Sequence, residues 1–79
     1  MSKQVSFHVG APPDGRWTAR AGLELVGRGV RYAKLGKVGE VVRAIPVDSG
    51  RALRLHVELE RHLPNPDRRK FSLVKASRR

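Results

Sequence analysis

Residues 51–60 alternate between apolar and polar side chains, and this pattern strongly limits what the chain can fold into. The apolar residues fall on one side of an extended strand: Leu53, Leu55, Val57 and Leu59. The polar residues fall on the other: Arg54, His56, Glu58 and Glu60. A period of two over this length is typical of a half-buried β-strand.

A helix over residues 51–63 is the competing interpretation of the same segment. Ala52, Leu55, Leu59 and Leu63 also lie near one helical face. Leu53 and Val57 would widen that face, whereas strict alternation explains more of the residues. The sequence therefore favours a strand here.

The segment before this strand predicts its partner in a hairpin. Residues 38–47 are rich in β-branched side chains, and Asp48-Ser49-Gly50 is typical of a turn. A three-residue loop would pair Val47 with Arg51. The predicted pairs then continue along the hairpin: Ile45 with Leu53, Arg43 with Leu55, Val41 with Val57, and Gly39 with Leu59. Arg43 is the misfit, so we expect it near an open end of the core or at a slip in the pairing.

Shorter alternating segments predict the remaining strands. Val5, Phe7 and Val9 indicate a first strand, residues 16–20 a short one holding Trp17, and residues 70–75 a closing one. Alternation also links Leu23 with Leu25 and Val30 with Tyr32, across a bend at Gly27-Arg28-Gly29. We expect a mainly β fold: a small, five-stranded, partly open barrel over residues 1–75, with a flexible basic tail at residues 76–79.

Charge is the strongest indication of function. The chain of 79 residues has a net charge of +10, and residues 64–79 hold six basic residues against one acidic residue. Such an excess favours a polyanionic partner, so we expect DNA or RNA. There is no cysteine, and no segment is long and apolar enough for a signal peptide or a membrane span. We therefore expect a soluble, cytoplasmic protein with no membrane partner.

A run of basic residues crosses the middle of the chain. They occur at every third position among glycines: Arg28, Arg31, Lys34 and Lys37. Glycines allow the backbone to approach a phosphate chain closely, and long cationic side chains replace condensed counterions. A merely solvated basic loop is the alternative. The predicted phosphate-binding residues are these four, with a second group near the C-terminus: Arg68, Arg69, Lys70, Arg78 and Arg79.

The segment 29–45 resembles the KOW motif of ribosomal proteins and transcription elongation factors. In that motif a glycine and alternating apolar residues lead through a basic loop into a β-branched strand. The matching positions here are Gly36, Val38, Gly39, Val41 and Ile45. The resemblance implies an SH3-like barrel that contacts RNA, DNA or ribonucleoprotein through its loops.

Two aromatic residues lie beside basic ones and could serve either of two purposes. Trp17 stands between Arg16 and Arg20, and Tyr32 follows Arg31. Each could stack on an unpaired base, or each could anchor the core of so small a domain.

Nothing in the sequence favours catalysis. His56, Glu58 and Glu60 would share a strand face, but Arg54 and Arg61 nearby favour ordinary ion pairs over a metal or acid–base site. We expect a non-enzymatic protein with no cofactor and no metal, in an accessory role in transcription, translation or nucleoid organisation. The alternative is a structural or adaptor subunit of a virion or ribonucleoprotein. Such a subunit would bind an acidic protein surface and could add an edge strand to its partner's sheet.

Overall fold

The computed structural model describes residues 3–12 and 15–74, and its five strands form one curled antiparallel sheet. Its strands are β1 (Lys3–Val9), β2 (Gly29–Tyr32), β3 (Lys37–Val47), β4 (Ala52–Leu59) and β5 (Phe71–Leu73). They pair in the order β1-β4-β3-β2-β5. The predicted mainly β, five-stranded, partly open barrel is confirmed. The predicted tail at residues 76–79 lies outside the described residues.

The strand predicted over residues 51–60 is β4, which lies between β1 and β3. Its four predicted inward side chains are all buried: Leu53, Leu55, Val57 and Leu59. They pack with core residues from every other strand: Phe7, Val30, Val38, Val41 and Phe71. Because β4 has a strand on each side and its apolar face turned inward, it forms the centre of the core.

The predicted hairpin of β3 and β4 forms, but its register changes halfway along. Val41 lies opposite Val57 and Gly39 opposite Leu59, as predicted. Nearer the turn the prediction is wrong. Arg43 faces His56 instead of Leu55, Ile45 faces Arg54 instead of Leu53, and Val47 faces Ala52 instead of Arg51.

A β-bulge explains this change of register. The shift falls between Val41 and Arg43, so Val42 is an extra residue on β3. The bulge moves Arg43 from the apolar face to the polar one, where it is exposed. A regular ladder would have buried a charged side chain opposite Leu55, which is costly. The regular register placed the charged Arg43 on the apolar face, and this conflict indicated where the register shifts.

Residues 16–25 do not form the predicted strand segments. A short helix, α1 (Ala19–Leu23), begins after Thr18, whose side-chain oxygen accepts a hydrogen bond from the Ala21 N–H at 3.1 Å. Gly22 lies close to β3, where an added Cβ would sit 3.3 Å from the Ala44 carbonyl oxygen. The cap and this close packing favour a helix over the strand that the short alternation of Leu23 and Leu25 indicated. The Leu23 side chain is 69% exposed as a result. No helix among the described residues combines the length and apolar character needed to cross a membrane.

The two edge strands approach each other through their aromatic side chains. The rings of Phe7 on β1 and Phe71 on β5 stack with centroids 5.4 Å apart. Of the strand predicted over residues 70–75, β5 includes residues 71–73, because Lys70 belongs to the 3-10 helical turn Arg68–Lys70 that precedes it. Residue 75 lies outside the described residues. β1 and β5 do not pair within the described part of the chain, so the sheet curls without closing and a gap remains between β1 and the segment that leads into β5.

Candidate nucleic-acid interface

Two basic turns lie at the same end of the barrel. Tyr32, the last residue of β2, pairs with Phe71, the first residue of β5. β2 therefore ends and β5 begins at one end of the sheet. The chain leaves β2 through a 3-10 turn at Ala33–Leu35, here named the Lys34 turn. It enters β5 through the turn at Arg68–Lys70, here named the Arg69 turn. All four basic side chains of these turns are exposed: Lys34, Arg68, Arg69 and Lys70.

Tyr32 holds the Arg69 turn against β2. Its hydroxyl oxygen accepts a hydrogen bond from the Asp67 backbone N–H at 2.9 Å. Its ring meets Phe71 edge to face, with centroids 4.9 Å apart. The Asp67 carboxylate in turn accepts a hydrogen bond from the Arg69 backbone N–H at 3.0 Å and caps the turn. The position of the turn is therefore set by defined contacts to the sheet.

We expect Tyr32→Phe to lower the free energy of unfolding by about 0.5–1.5 kcal/mol. The ring contact with Phe71 remains, but the Asp67 N–H loses its acceptor. Urea denaturation measures the loss, and amide hydrogen exchange should become faster at Asp67. Unchanged exchange at Asp67 would show that the hydroxyl does not hold the Arg69 turn.

Asp67 also forms an ion pair with Arg69 in the Arg69 turn. Hydrogen bonds from the backbone and side chain of Arg69 lower the pKa of Asp67 below its usual value. The carboxylate lies 3.3 Å from Arg69 Nε. Within the described part of the chain, Arg68 and Lys70 form no ion pair. Arg69 is therefore the residue of the turn that pairs directly with Asp67, and the charge of Lys70 acts on the same carboxylate without forming an ion pair.

Arg31 extends this basic surface along β2. It is exposed, and its backbone lies opposite Lys37 on β3 and Ser72 on β5. It faces away from the core, because Val30 and Tyr32 on either side of it face inward. Among residues 3–12 and 15–74 it takes part in no ion pair. Its guanidinium is therefore available at the end where the two turns lie.

Lys37 is paired with two acidic residues, whereas Arg69 is paired with one. Its Nζ lies 3.3 Å from Glu40 Oε2 and 3.7 Å from Glu60 Oε2. The hydrogen bond to Glu40, then the negative charge of Glu60, raises the pKa of Lys37 above its usual value. Two carboxylates thus offset one ammonium group, which weakens the local attraction for a phosphate.

Arg28 has a structural contact that the sequence did not indicate. Its guanidinium donates from Nη2 to the Val74 carbonyl oxygen at 2.8 Å and from Nε at 3.3 Å. Val74 also donates its backbone N–H to the Gly29 carbonyl oxygen. The half-buried Arg28 therefore fastens the start of β2 to the segment that follows β5.

The two predicted stacking residues both contribute to packing. Trp17 is half-buried against the core, and its indole N–H donates to the Gly10 carbonyl oxygen at 2.7 Å. Its backbone N–H donates to Gly50, which lies in the hairpin turn at the other end of β3. The ring and hydroxyl of Tyr32 are engaged with Phe71 and Asp67. The basic turns and Trp17 are therefore at opposite ends of the barrel.

No family model, curated protein or solved structure matches this chain. The resemblance of residues 29–45 to the KOW motif therefore stays a prediction. Among the predicted phosphate-binding residues, the fold brings together those of the two turns and Arg31. Arg78 and Arg79 lie outside the described residues.

Lys3 joins the same end of the barrel, although the sequence analysis did not select it. Lys3 lies opposite Leu59, which in turn lies opposite Gly39 near the start of β3. Lys3 and Arg68 line a common groove of about 370 Å³. Only the pairing of β1 with β4, two strands far apart in the chain, places this lysine, so no local signal could have identified it.

Proposed function

We propose that this protein is a non-enzymatic nucleic-acid-binding protein whose basic end contacts phosphates. The basic end is defined as five exposed residues: Arg31, Lys34, Arg68, Arg69 and Lys70. Contacts of this kind position a protein on a nucleic acid without reading its sequence. An accessory role in transcription, translation or nucleoid organisation, in the cytoplasm, fits this mode of binding.

The convergence of the Lys34 turn and the Arg69 turn carries the proposal. Residues separated by more than thirty positions in the chain present their positive charges at one end of the sheet. The hydrogen bond between Tyr32 and Asp67 holds the two turns together. A fixed set of cations loses less conformational freedom on binding than a mobile one, which favours a formed site over a diffuse charge.

The remaining basic residues contribute in smaller measure. Lys37 is offset by Glu40 and Glu60, and the Arg28 guanidinium is engaged with Val74. The residues beyond the described part of the chain include Lys75, Arg78 and Arg79, which add long-range attraction whatever their position. The proposal therefore rests on the basic end, with the tail as a source of non-specific affinity.

The experiment compares two double variants that remove the same charge. We expect Arg31→Ala with Lys34→Ala to weaken binding at moderate salt by at least about tenfold, equivalent to about 1.4 kcal/mol. We expect Arg51→Ala with Arg54→Ala to reduce the affinity for nucleic acid clearly less. Fluorescence anisotropy with single- and double-stranded DNA and RNA, repeated at several salt concentrations, measures both affinity and its salt dependence.

The second pair is a suitable control because of its position. Arg51 follows the hairpin turn, at the end of β4 away from the basic end, and the Arg54 side chain contacts His8. Bulk attraction alone predicts similar losses for both pairs. If the hairpin pair reduces binding as much as the first pair, the basic end is not a site. An absence of binding even at low salt would end the proposal altogether, since phosphate contacts strengthen as salt is lowered.

A further inference from the structure

The outer edge of β1 has backbone groups that no described strand uses. β1 lies at the edge of the sheet and pairs with β4. In antiparallel sheets, successive residues of a central strand bond alternately to its two neighbours. The Glu60 N–H donates to the Val38 carbonyl oxygen at 2.8 Å, so even-numbered positions along β4 bond to β3. The odd-numbered ones bond to β1, where their partners are Lys3, Val5, Phe7 and Val9.

The residues between those partners direct their N–H and C=O groups away from the sheet. They are Gln4, Ser6 and His8, and their side chains lie on the convex face. The backbone groups of these three residues, at every second position of β1, can pair with one more strand. An unpaired edge of this kind is a common site for the addition of an extended peptide.

A groove of about 370 Å³ runs beside this edge. Residues of β1 and β4 line it together with two residues from the segment before β5, Pro66 and Arg68. Among them, Gln4, Ser6 and His56 belong to the convex face of the sheet. Lys3 also lines the groove and lies on the concave side, because it alternates with Gln4. Within the described part of the chain, no aspartate or glutamate lines the groove.

Charge differs between the two sides of the groove. Among the described residues, Lys3 and Arg68 are the two cations that line the groove, and Lys3 lies on its concave side. On the convex face, Gln4 lies opposite Glu58 of β4. At the groove, an incoming strand would therefore meet Lys3 and Arg68 with one set of alternate side chains, and Gln4, Ser6 and the neighbouring Glu58 with the other. The basic Arg54 lies further along the convex face, beside His8.

We propose that the edge of β1 binds an extended, acidic segment of a partner protein as a sixth, antiparallel strand. Backbone hydrogen bonds to Gln4 and Ser6 hold the segment. Carboxylates at alternate positions face Lys3 and Arg68, and uncharged polar residues lie between them. This surface shares Arg68 with the basic end but includes neither Arg31 nor Lys34. Strand addition to β1 does not require that the basic end binds nucleic acid.

Charge also argues against the two other occupants of this edge. A second copy of the chain would bring its own net charge of +10 and its own Lys3 to the groove. The segment that follows the described residues, 75–79, holds three basic residues and no acidic one. An acidic partner is the occupant that complements Lys3 and Arg68.

The test uses the full chain and a capped eight-residue peptide of alternating threonine and glutamate. We expect amide hydrogen exchange at Gln4 and Ser6 to slow by at least about tenfold when the peptide is saturating. Exchange at Val5 should change little, because its N–H already bonds to β4. A peptide with four threonines followed by four glutamates has the same composition and should bind at least about tenfold more weakly.

Two N-methylated peptides test the strand geometry without altering the protein. In an antiparallel pairing with the glutamates on the concave side, the threonine amides face β1 and the glutamate amides face away. Methylation of the threonine nitrogens should therefore weaken binding by at least about tenfold, and methylation of the glutamate nitrogens should weaken it much less. Equal losses would overturn the proposal.

Ser6→Pro gives the corresponding change in the protein. It removes an N–H that faces away from β4, a position where an edge strand tolerates proline. We expect the fold to survive and peptide binding to fall by at least about tenfold. Binding of both peptides with equal affinity, or no slowing at Gln4 and Ser6, contradicts the proposal. Slower exchange at Gln4 and Ser6 on raising the protein concentration alone would identify a second copy as the occupant and contradict the proposal. Slower exchange on adding an oligonucleotide would identify a nucleic acid and contradict it as well.

Discussion

Leu55→Ala should lower the free energy of unfolding by about 2–5 kcal/mol, because it leaves a cavity at the centre of the core. Leu55 has no exposed surface, and it lies between Phe7 of β1 and Ala44 of β3. Every strand contributes to the cluster that surrounds it, so the structure has little freedom to collapse into the space. Urea denaturation followed by circular dichroism measures the change.

His56→Ala is the matched control, one position further along the same strand. Its side chain lies on the polar face, opposite Ser6 and Arg43, and is only half-buried. We expect a loss of about 1 kcal/mol or less, since no core cavity forms. Equal losses at Leu55 and His56 would contradict the inward and outward alternation of β4.

β4 could be predicted because its pattern is long and local. Four consecutive inward positions from Leu53 to Leu59 agree with one period, and a one-residue slip would expose all of them. The position of the hairpin turn and the pairs at Gly39 and Val41 followed from the same pattern, although the loop has four residues, 48–51, instead of the predicted three. These parts of the fold depend on residues close together in the chain.

The parts that could not be predicted depend on contacts made elsewhere. Only two alternating apolar residues, Leu23 and Leu25, indicated a strand there. The Thr18 cap and the packing of Gly22 against Ala44 favour a helix instead. The bulge at Val42 depends on which face Arg43 can occupy. The pairing of β1 with β4 joins residues about fifty positions apart, and alternation within β1 does not specify that partner.

The candidate site shows the same division. The spacing of Arg28, Arg31, Lys34 and Lys37 assigned one role to four residues. Their surroundings separate them, since Val74 engages Arg28 while Glu40 and Glu60 offset Lys37. Spacing along the chain reports which residues are basic, whereas the local potential depends on the carboxylates and carbonyl groups that the fold brings beside them.

Gly39→Ala should destabilise the protein by about 1–3 kcal/mol or more, because β3 and β4 leave no room for a side chain there. An added Cβ would collide with the Glu58 carbonyl oxygen, and it would lie 3.1 Å from the Val57 Cγ1 atom. The carbonyl belongs to the backbone of the central strand and cannot rotate away as a side chain would. The strands must therefore separate, which should also accelerate amide exchange at Glu60, whose N–H donates to Val38.

Gly10→Ala is the control for this substitution. Gly10 has no atom within 4 Å of an added Cβ and does not have a left-handed backbone conformation. Alanine there should leave stability unchanged or raise it by up to about 1 kcal/mol, because it restricts the unfolded chain. If Gly39→Ala is as stable as Gly10→Ala, then β3 and β4 are not this close at Gly39. If it is strongly destabilised, the glycine that the KOW resemblance assigns to residue 39 is required by the packing of the sheet, whatever the protein binds.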